Sequence, residues 1–211
     1  VIFDESYETT HFSIIDKDGN SVSVTTTLNN SFGSKVFVEK SGFFLNNEMD
    51  DFSSKPGYPN FFGVIGSEAN SIQPNKRMLS AMTPTIVLKN EKPHLILGSP
   101  GGPSIITSVF QTILNVIEYE MNVNEAVSSP RFHHQWYPDL IVMEKEAYSN
   151  ELDSILKDKN YLIVKLPIEK ETLGVYKRSD IGAVDAILIN DNGKVFGGAD
   201  LRREHHSSTI D

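Results

Sequence analysis

Cysteine is absent from this chain of 211 residues, which excludes disulfides, thiolate metal sites and a cysteine nucleophile. An oxidising compartment also tolerates a chain without cysteine, so location stays open. No apolar run approaches the ~20 residues of a membrane-spanning helix. Val1 to Glu8 are too short and too acidic for a signal peptide, so any export signal is expected upstream. Positive charge is in deficit: 19 Lys and Arg face 28 Asp and Glu, a formal −9 at pH 7, the wrong sign for holding nucleic-acid phosphates. Repeats and low-complexity stretches are lacking too. With 39% hydrophobic and 22% charged residues, the chain reads as one globular domain or one subunit of something larger.

What is present is mostly strand. His11 to Ile15 and Ser21 to Leu28 are rich in β-branched residues and flank the turn Asp16-Lys17-Asp18-Gly19-Asn20, a hairpin pattern. Pro84 to Leu88 with His94 to Leu97, and Ala183 to Ile189 with Lys194 to Gly198, repeat that pattern around polar turns. Gly42 to Asn47 reads as a short buried strand, and Asp50 to Asn70, with Pro56, Gly57 and Pro59 among aromatics, as a long functional loop. In Ile105 to Ile117 apolar residues form a wide stripe, predicting a helix packed under other elements; Asn150 to Asp158 is a second helix. Strands in hairpins with helices between them predict an α+β fold, an antiparallel sheet covered by helices. Leu201 to Asp211 reads as a polar, fraying tail.

Three segments could carry chemistry. Hairpin pairing would bring the hydroxyls of Thr9-Thr10 and Thr25-Thr26-Thr27 to one end of a sheet, although threonine is also simply a good strand former. A threonine hydroxyl needs a base beside it, and a terminal threonine can use its own α-amine, but Thr9 has residues in front of it. Gly98-Ser99-Pro100-Gly101-Gly102, between a strand and a helix, could offer N–H groups to an oxyanion or be a tight turn. It lacks the Lys-Ser/Thr of a nucleotide P-loop. Asn46-Asn47-Glu48-Met49-Asp50-Asp51 could hold a substrate ammonium or be a solvated acidic turn. The pairs His133-His134 and His205-His206 would point to opposite faces of a strand, so no metal is expected.

Taken in order, Thr9-Thr10-His11-Phe12-Ser13, Asn46 to Phe52, Asn75-Lys76-Arg77, Gly98 to Gly102 and Pro130-Arg131-Phe132-His133-His134-Gln135-Trp136 resemble the small subunit of γ-glutamyltranspeptidase, from about Thr9 to Arg202. That family belongs to the N-terminal-nucleophile (Ntn) hydrolases, whose proenzyme cuts itself before a threonine and whose two subunits share an αββα four-layer sandwich. The resemblance implies that this chain supplies the small-subunit half. Residues 1–8 would be the end of the large subunit, 9–203 the catalytic domain and 204–211 a flexible tail. It further implies a heterodimer with the large subunit, glutathione or a related γ-glutamyl compound as donor, an amino acid, peptide or water as acceptor, no cofactor, and a periplasmic or extracellular location.

On matching positions, Thr9 is the implied nucleophile, Glu8–Thr9 the self-cleaved bond and Thr27 the residue that aligns the nucleophile. Asn29, Glu48 and Asp51 would hold the donor's α-ammonium, and Gly101 and Gly102 would form the oxyanion hole. Ser80 matches the first of two serines for the α-carboxylate, but the second is Ala81. Pro103-Ser104 stands where the family has Ser-Arg, and Asp200-Leu201-Arg202 where it has Asp-Pro-Arg, so the helix entry and the end of the last strand are expected to differ. Tyr58, Phe61 and Phe62 fall in the stretch matching the lid over the donor site of bacterial members. Two alternatives stay open: an uncleaved or isolated non-catalytic subunit, and the same chemistry on poly-γ-glutamate or glutaryl amides.

Overall fold

The structure is a computed structural model that describes residues 9–168, 179–203 and 206–208. Strand β1 (Thr10–Ile15) pairs antiparallel with β2 (Ser21–Thr26), Thr10 opposite Thr26 and His11 opposite Thr25. The polar turn between them closes as expected: Asp16 Oδ1 accepts the N–H groups of Asp18 and Asn20, and Gly19 takes a φ of +85°. Two two-residue strands follow, β3 (Phe37–Val38) and β4 (Phe43–Phe44). Here the expected buried strand of Gly42 to Asn47 is corrected, because Phe43 is half exposed and Phe44, itself not fully buried, packs against the rings of Phe32 and Phe37, 5.2 and 5.1 Å away. The apolar run serves a local aromatic cluster instead of the core.

The other two hairpins merge into one sheet. β5 (Thr85–Lys89), β6 (Lys92–Gly98), β10 (Asp185–Ile189) and β11 (Val195–Ala199) lie in the order β11-β10-β6-β5, every pair antiparallel. Helices α1 (Ile105–Ile117) and α2 (Val123–Ser128) cover one face, where Leu95, Leu97 and Ala186 meet Val109, Val116 and Val127. Each large aliphatic side chain buried there contributes about 1.5–3 kcal/mol. The wide stripe of α1 finds only part of the cover predicted for it. Ile105 and Val109 are buried, whereas Ile106, Phe110 and Ile117 stay largely exposed, because the sheet meets the helix along one face only.

Hairpin β1–β2 lies across the opposite face of this sheet, touching β5, β6 and β10. It is turned polar side in: the Ser13 hydroxyl donates to the carbonyl of Ile96 at 3.3 Å, and that of Ser23 to the carbonyl of Leu97 at 2.9 Å. Its alternate residues, Phe12, Ile14 and Val22, are 42, 52 and 44% exposed, so the apolar face looks outward.

A further sheet escaped the sequence reading. β7 (Phe132–His134) pairs antiparallel with β8 (Ile141–Met143), which pairs parallel with β9 (Ile163–Lys165) across α3 (Asn150–Asp158). This sheet adds one parallel pair to the antiparallel sheet covered by helices that the sequence predicts, since a helix between two strands permits parallel return. The tail expectation also changes. Leu201 is exposed, but Arg202 is held by Glu144 and Asp200, and Arg203 donates to the carbonyl of Thr9 at 3.2 Å. Residues 1–8, including Glu8, and His205 lie outside the described residues. Among those described, no helix is long and apolar enough to cross a membrane.

Candidate active site

Thr9 stands one residue before β1, and continuing the β1–β2 register by one step sets it opposite Thr27. Opposed residues of an antiparallel pair share a face, so the two threonines meet at the end of the ribbon. Thr27 Oγ1 accepts the N–H of Asn29 at 3.0 Å, and the chain then turns sharply at Asn29, whose φ is +75°. Buried Asn29 donates through Nδ2 to the carbonyl of Asn47 at 3.2 Å, Asn30 N–H to Asn47 Oδ1 at 3.1 Å, and Asn47 N–H to the carbonyl of Leu28 at 3.1 Å. These bonds seat a 3-10 turn, Glu48–Asp51, beside the threonines.

That turn crowds carboxylates. Burial, then the negative charge of Asp51, push the Glu48 carboxyl up to about 7, and the protonated group donates to Asp51. Burial raises Asp51 as well, with Asp50 adding to it and the bond from Glu48 offsetting part. Two carboxyls that share a proton in a recess are a receptor for a cation. Beyond them, Asp50 Oδ2 accepts the N–H of Phe61 at 3.0 Å, which holds the 50–66 loop inward with Phe61 and Phe62 edge to face at 5.2 Å. Ser80 and Ala81 form an exposed rim, and Ser80 Oγ accepts the N–H of Met82 at 3.2 Å.

The glycine loop faces this group. Gly101 and Gly102 have φ of +133° and +53°, a backbone that side chains rarely adopt. A Cβ on Gly101 would come within 2.8 Å of Gly182 Cα, and one on Gly102 would sit 3.5 Å from the Phe62 ring. Pro103 fits the short 3-10 turn Gly102–Ser104 that leads into α1, where a missing N–H matters least. The altered helix entry is therefore accommodated. Thr9, Thr27, Asn29, Glu48, Asp51, Ser80, Ala81 and Gly102 all border one cavity of about 440 Å3, whose wall also includes Phe61, Phe62, Gln135 and Trp136. Gly101 is buried directly behind it.

Sequence reasoning missed what holds the glycine loop in place. Arg131 Nη2 meets Asp200 Oδ2 at 2.7 Å, Arg202 Nη2 meets Glu144 Oε2 at 2.6 Å, and Arg202 Nη1 meets Asp200 Oδ1 at 3.0 Å. Both carboxylates also take backbone N–H groups of the segment under the loop: Glu144 that of Ile181, Asp200 that of Val184. In the same segment Ala183 N–H donates to Ser99 Oγ at 3.0 Å. Burial alone would push the Asp200 carboxyl up, but Arg131 and Arg202 outweigh it and hold it below the usual range. Two arginines and two carboxylates balance in charge, which makes a buried cluster tolerable. Exposed Leu201 points away from this cluster, so its departure from the family pattern leaves Asp200 and Arg202 in place. Arg131 and Arg202 each fall in a quoted motif, but no spacing rule pairs them. Among the described residues no cluster of His, Asp or Glu is placed to hold a metal ion.

Residues 3–210 match the family model described as gamma-glutamyltranspeptidase. The chain is 46% identical over 198 residues to the glutathione hydrolase proenzyme of Escherichia coli, covering 94% of this chain but 32% of that protein. It thus spans about a third of that curated relative. Among solved structures it is similar to the gamma-glutamyltranspeptidase of Pseudomonas nitroreducens, with TM-score 0.82 and 42% identity over 96% of this chain and 100% of that one. A Helicobacter pylori gamma-glutamyltranspeptidase mutant gives TM-score 0.81 and 48% identity, covering 92% and 100%.

Proposed function

The chain belongs to the γ-glutamyltranspeptidase family, and from that premise we propose that it is the nucleophile-bearing part of an enzyme that transfers γ-glutamyl groups from glutathione and related donors to amino acids, peptides or water. The observation that carries this reading is one cavity bordered by Thr9, Thr27, the Glu48–Asp51 pair and Gly102. Cleavage before Thr9 would free an α-amine, which takes the proton of the Thr9 hydroxyl while Oγ attacks the γ-carbonyl carbon of the donor. The negative charge that develops on the carbonyl oxygen is met by the N–H groups of Gly101 and Gly102, each contributing about 3 kcal/mol to the barrier. Collapse of the adduct breaks the C–N bond, the leaving amine takes the proton, and a γ-glutamyl ester remains on Thr9. Water or an acceptor amine then attacks that ester and restores the hydroxyl. Asn29, Glu48 and Asp51 hold the donor's α-ammonium, and Ser80 contributes to its α-carboxylate.

The catalytic unit in this reading includes a large subunit from the same proenzyme. The outward apolar face of β1–β2 supports it, since Phe12, Ile14 and Val22 are placed where another layer would cover them. Ala81 lacks the hydroxyl that a second serine would offer, which keeps donors with a differently held α-carboxylate, poly-γ-glutamate and glutaryl amides, in the same assay. The test is the denatured mass of the full proenzyme after expression, with turnover of a chromogenic γ-glutamyl anilide. A fragment beginning at Thr9, and an uncut, inactive Thr9→Ala variant, are expected. Turnover by Thr9→Ala would overturn the nucleophile, and an uncut wild-type chain would favour a non-catalytic relative.

A further inference from the structure

His11 is a buried titratable side chain that the proposed reaction leaves without a role. It follows Thr9 by two residues, so both project from the same face of the strand. Its ring lies between the hairpin and the sheet and is 5% exposed. Nδ1 is 2.7 Å from Thr25 Oγ1 and Nε2 is 3.0 Å from Ser13 Oγ, and Ser13 in turn donates to the carbonyl of Ile96 in β6. The ring is tied at both nitrogens to two strands of one layer and, through Ser13, to the next layer.

Opposite the ring is Gly98, the last residue of β6. A Cβ there would lie 2.2 Å from Cε1 and Nδ1 of His11. Side-chain alternation along β6 explains the match: Leu95 and Leu97 face the helices, so Ile96 and Gly98 face the hairpin. Gly98 takes no positive φ, so its lack of a side chain answers to the imidazole and not to a turn. Asp185, paired with Gly98 across the sheet, emerges on the same face. Directly after Gly98 the chain runs through Ser99 and Pro100 to Gly101 and Gly102. The imidazole thus bears on the root of the glycine loop while its own strand carries Thr9.

We propose that His11 is a positioning residue, a hydrogen-bonded wedge that sets the separation between the Thr9 hydroxyl and the backbone N–H groups of Gly101 and Gly102. This role rests on the γ-glutamyl-transfer reading. Misplacing reacting groups by up to about 1 Å is enough to reduce turnover by about 10- to 100-fold while leaving contacts to the rest of the donor in place. The wedge therefore acts on kcat, because the ammonium-binding carboxylates belong to the separate Glu48–Asp51 turn.

The test uses the full proenzyme with His11→Ala, Gly98→Ala, the double variant and His11→Gln, each assayed for cleavage before Thr9, for kcat and KM on a γ-glutamyl anilide, and for thermal unfolding. Each single alanine variant is expected to lose about 10- to 100-fold in kcat with KM changed less than about threefold. His11→Gln, which keeps a hydrogen-bonding amide, is expected to retain more kcat than His11→Ala. In the double variant the added methyl enters space the ring has left, so Gly98→Ala should cause no further loss. Additive losses in kcat, or KM rising as much as kcat falls, would overturn the wedge. Coupling of the two positions in thermal unfolding alone, without coupling in kcat, would make His11 merely structural. A wild-type enzyme with no turnover would instead sink the γ-glutamyl-transfer reading, and the positioning role with it.

Discussion

Binding of a γ-glutamyl group should expel a proton from the carboxylate turn, and the amount can be worked out from the site. In the free cavity Glu48 keeps its proton up to about pH 7, held there by burial and by Asp51. In the proposed binding mode an α-ammonium between Glu48 and Asp51 would replace that proton as the neutralising charge, so the bound state would favour both carboxylates ionised. L-glutamate is a suitable probe because it keeps its own charges between pH 6 and 8. At pH 6 Glu48 is about nine-tenths protonated, so binding should release about 0.9 proton; at pH 8 it should release about 0.1. The apparent Kd should correspondingly weaken about tenfold between pH 8 and pH 6. Calorimetric titration of the mature enzyme, in buffers of differing ionisation enthalpy, reads both numbers. If the proposed cleavage frees the α-amine of Thr9, a group ordinarily near 8, it would contribute to the raw signal, so the Glu48→Gln variant supplies the baseline. Without ligand the sign reverses for stability. A Glu whose folded-state pKa is raised from 4.5 to about 7 adds stability that is fully present below pH 4.5 and lost as pH rises through 7. Proton release that is negligible at pH 6, or an acid-side weakening that survives in Glu48→Gln, would refute the carboxylate-pair argument.

Asp200→Asn should be among the most destabilising single changes, because it leaves Arg131 buried without its counter-charge; the expected loss is about 3–5 kcal/mol, a fall in Tm on the order of 10 °C by calorimetry. Gly101→Ala should reduce kcat more than Gly102→Ala: its Cβ would meet Gly182 backbone at 2.8 Å, whereas the other finds the Phe62 ring at ordinary contact distance. Steady-state turnover of both variants checks the order. Ala81→Ser should lower donor KM about tenfold or more if its hydroxyl bonds the α-carboxylate, since a hydrogen bond to a charged group contributes about 1.5–3 kcal/mol. An unchanged KM would mean that this oxygen is already satisfied.

Much of the fold was legible because its signals are local. Two of the three hairpins have turns rich in Asn, Asp and Gly, the other has a short charged turn around Asn90 between apolar runs, and α1 has apolar spacing over thirteen residues, so neighbours in sequence decide them. What failed depended on distant partners. Nothing near Phe43 tells whether its ring meets a core or solvent, and β7, β8 and β9 are three residues each, too short for a period to show. The full width of the α1 stripe was legible, but the extent of its cover was not.

The site divides in the same way. The residue types at Thr9, Glu48, Asp51, Gly101 and Gly102, and their order along the chain, are properties of the sequence, and motif resemblance was enough to single them out. The meeting of Thr9, Glu48, Asp51 and Gly102 around one cavity, with Gly101 buried behind it, was decided by pairing between strands, by the bonds from Asn29 and Asn30 to Asn47, and by the inward-held 50–66 loop. Only the folded chain could reveal that Arg131, Glu144, Asp200 and Arg202 form one buried cluster, or that His11 occupies the space denied to a side chain at Gly98. Charge compensation and steric exclusion act through space between residues far apart in sequence, and neither leaves a periodic trace along the chain.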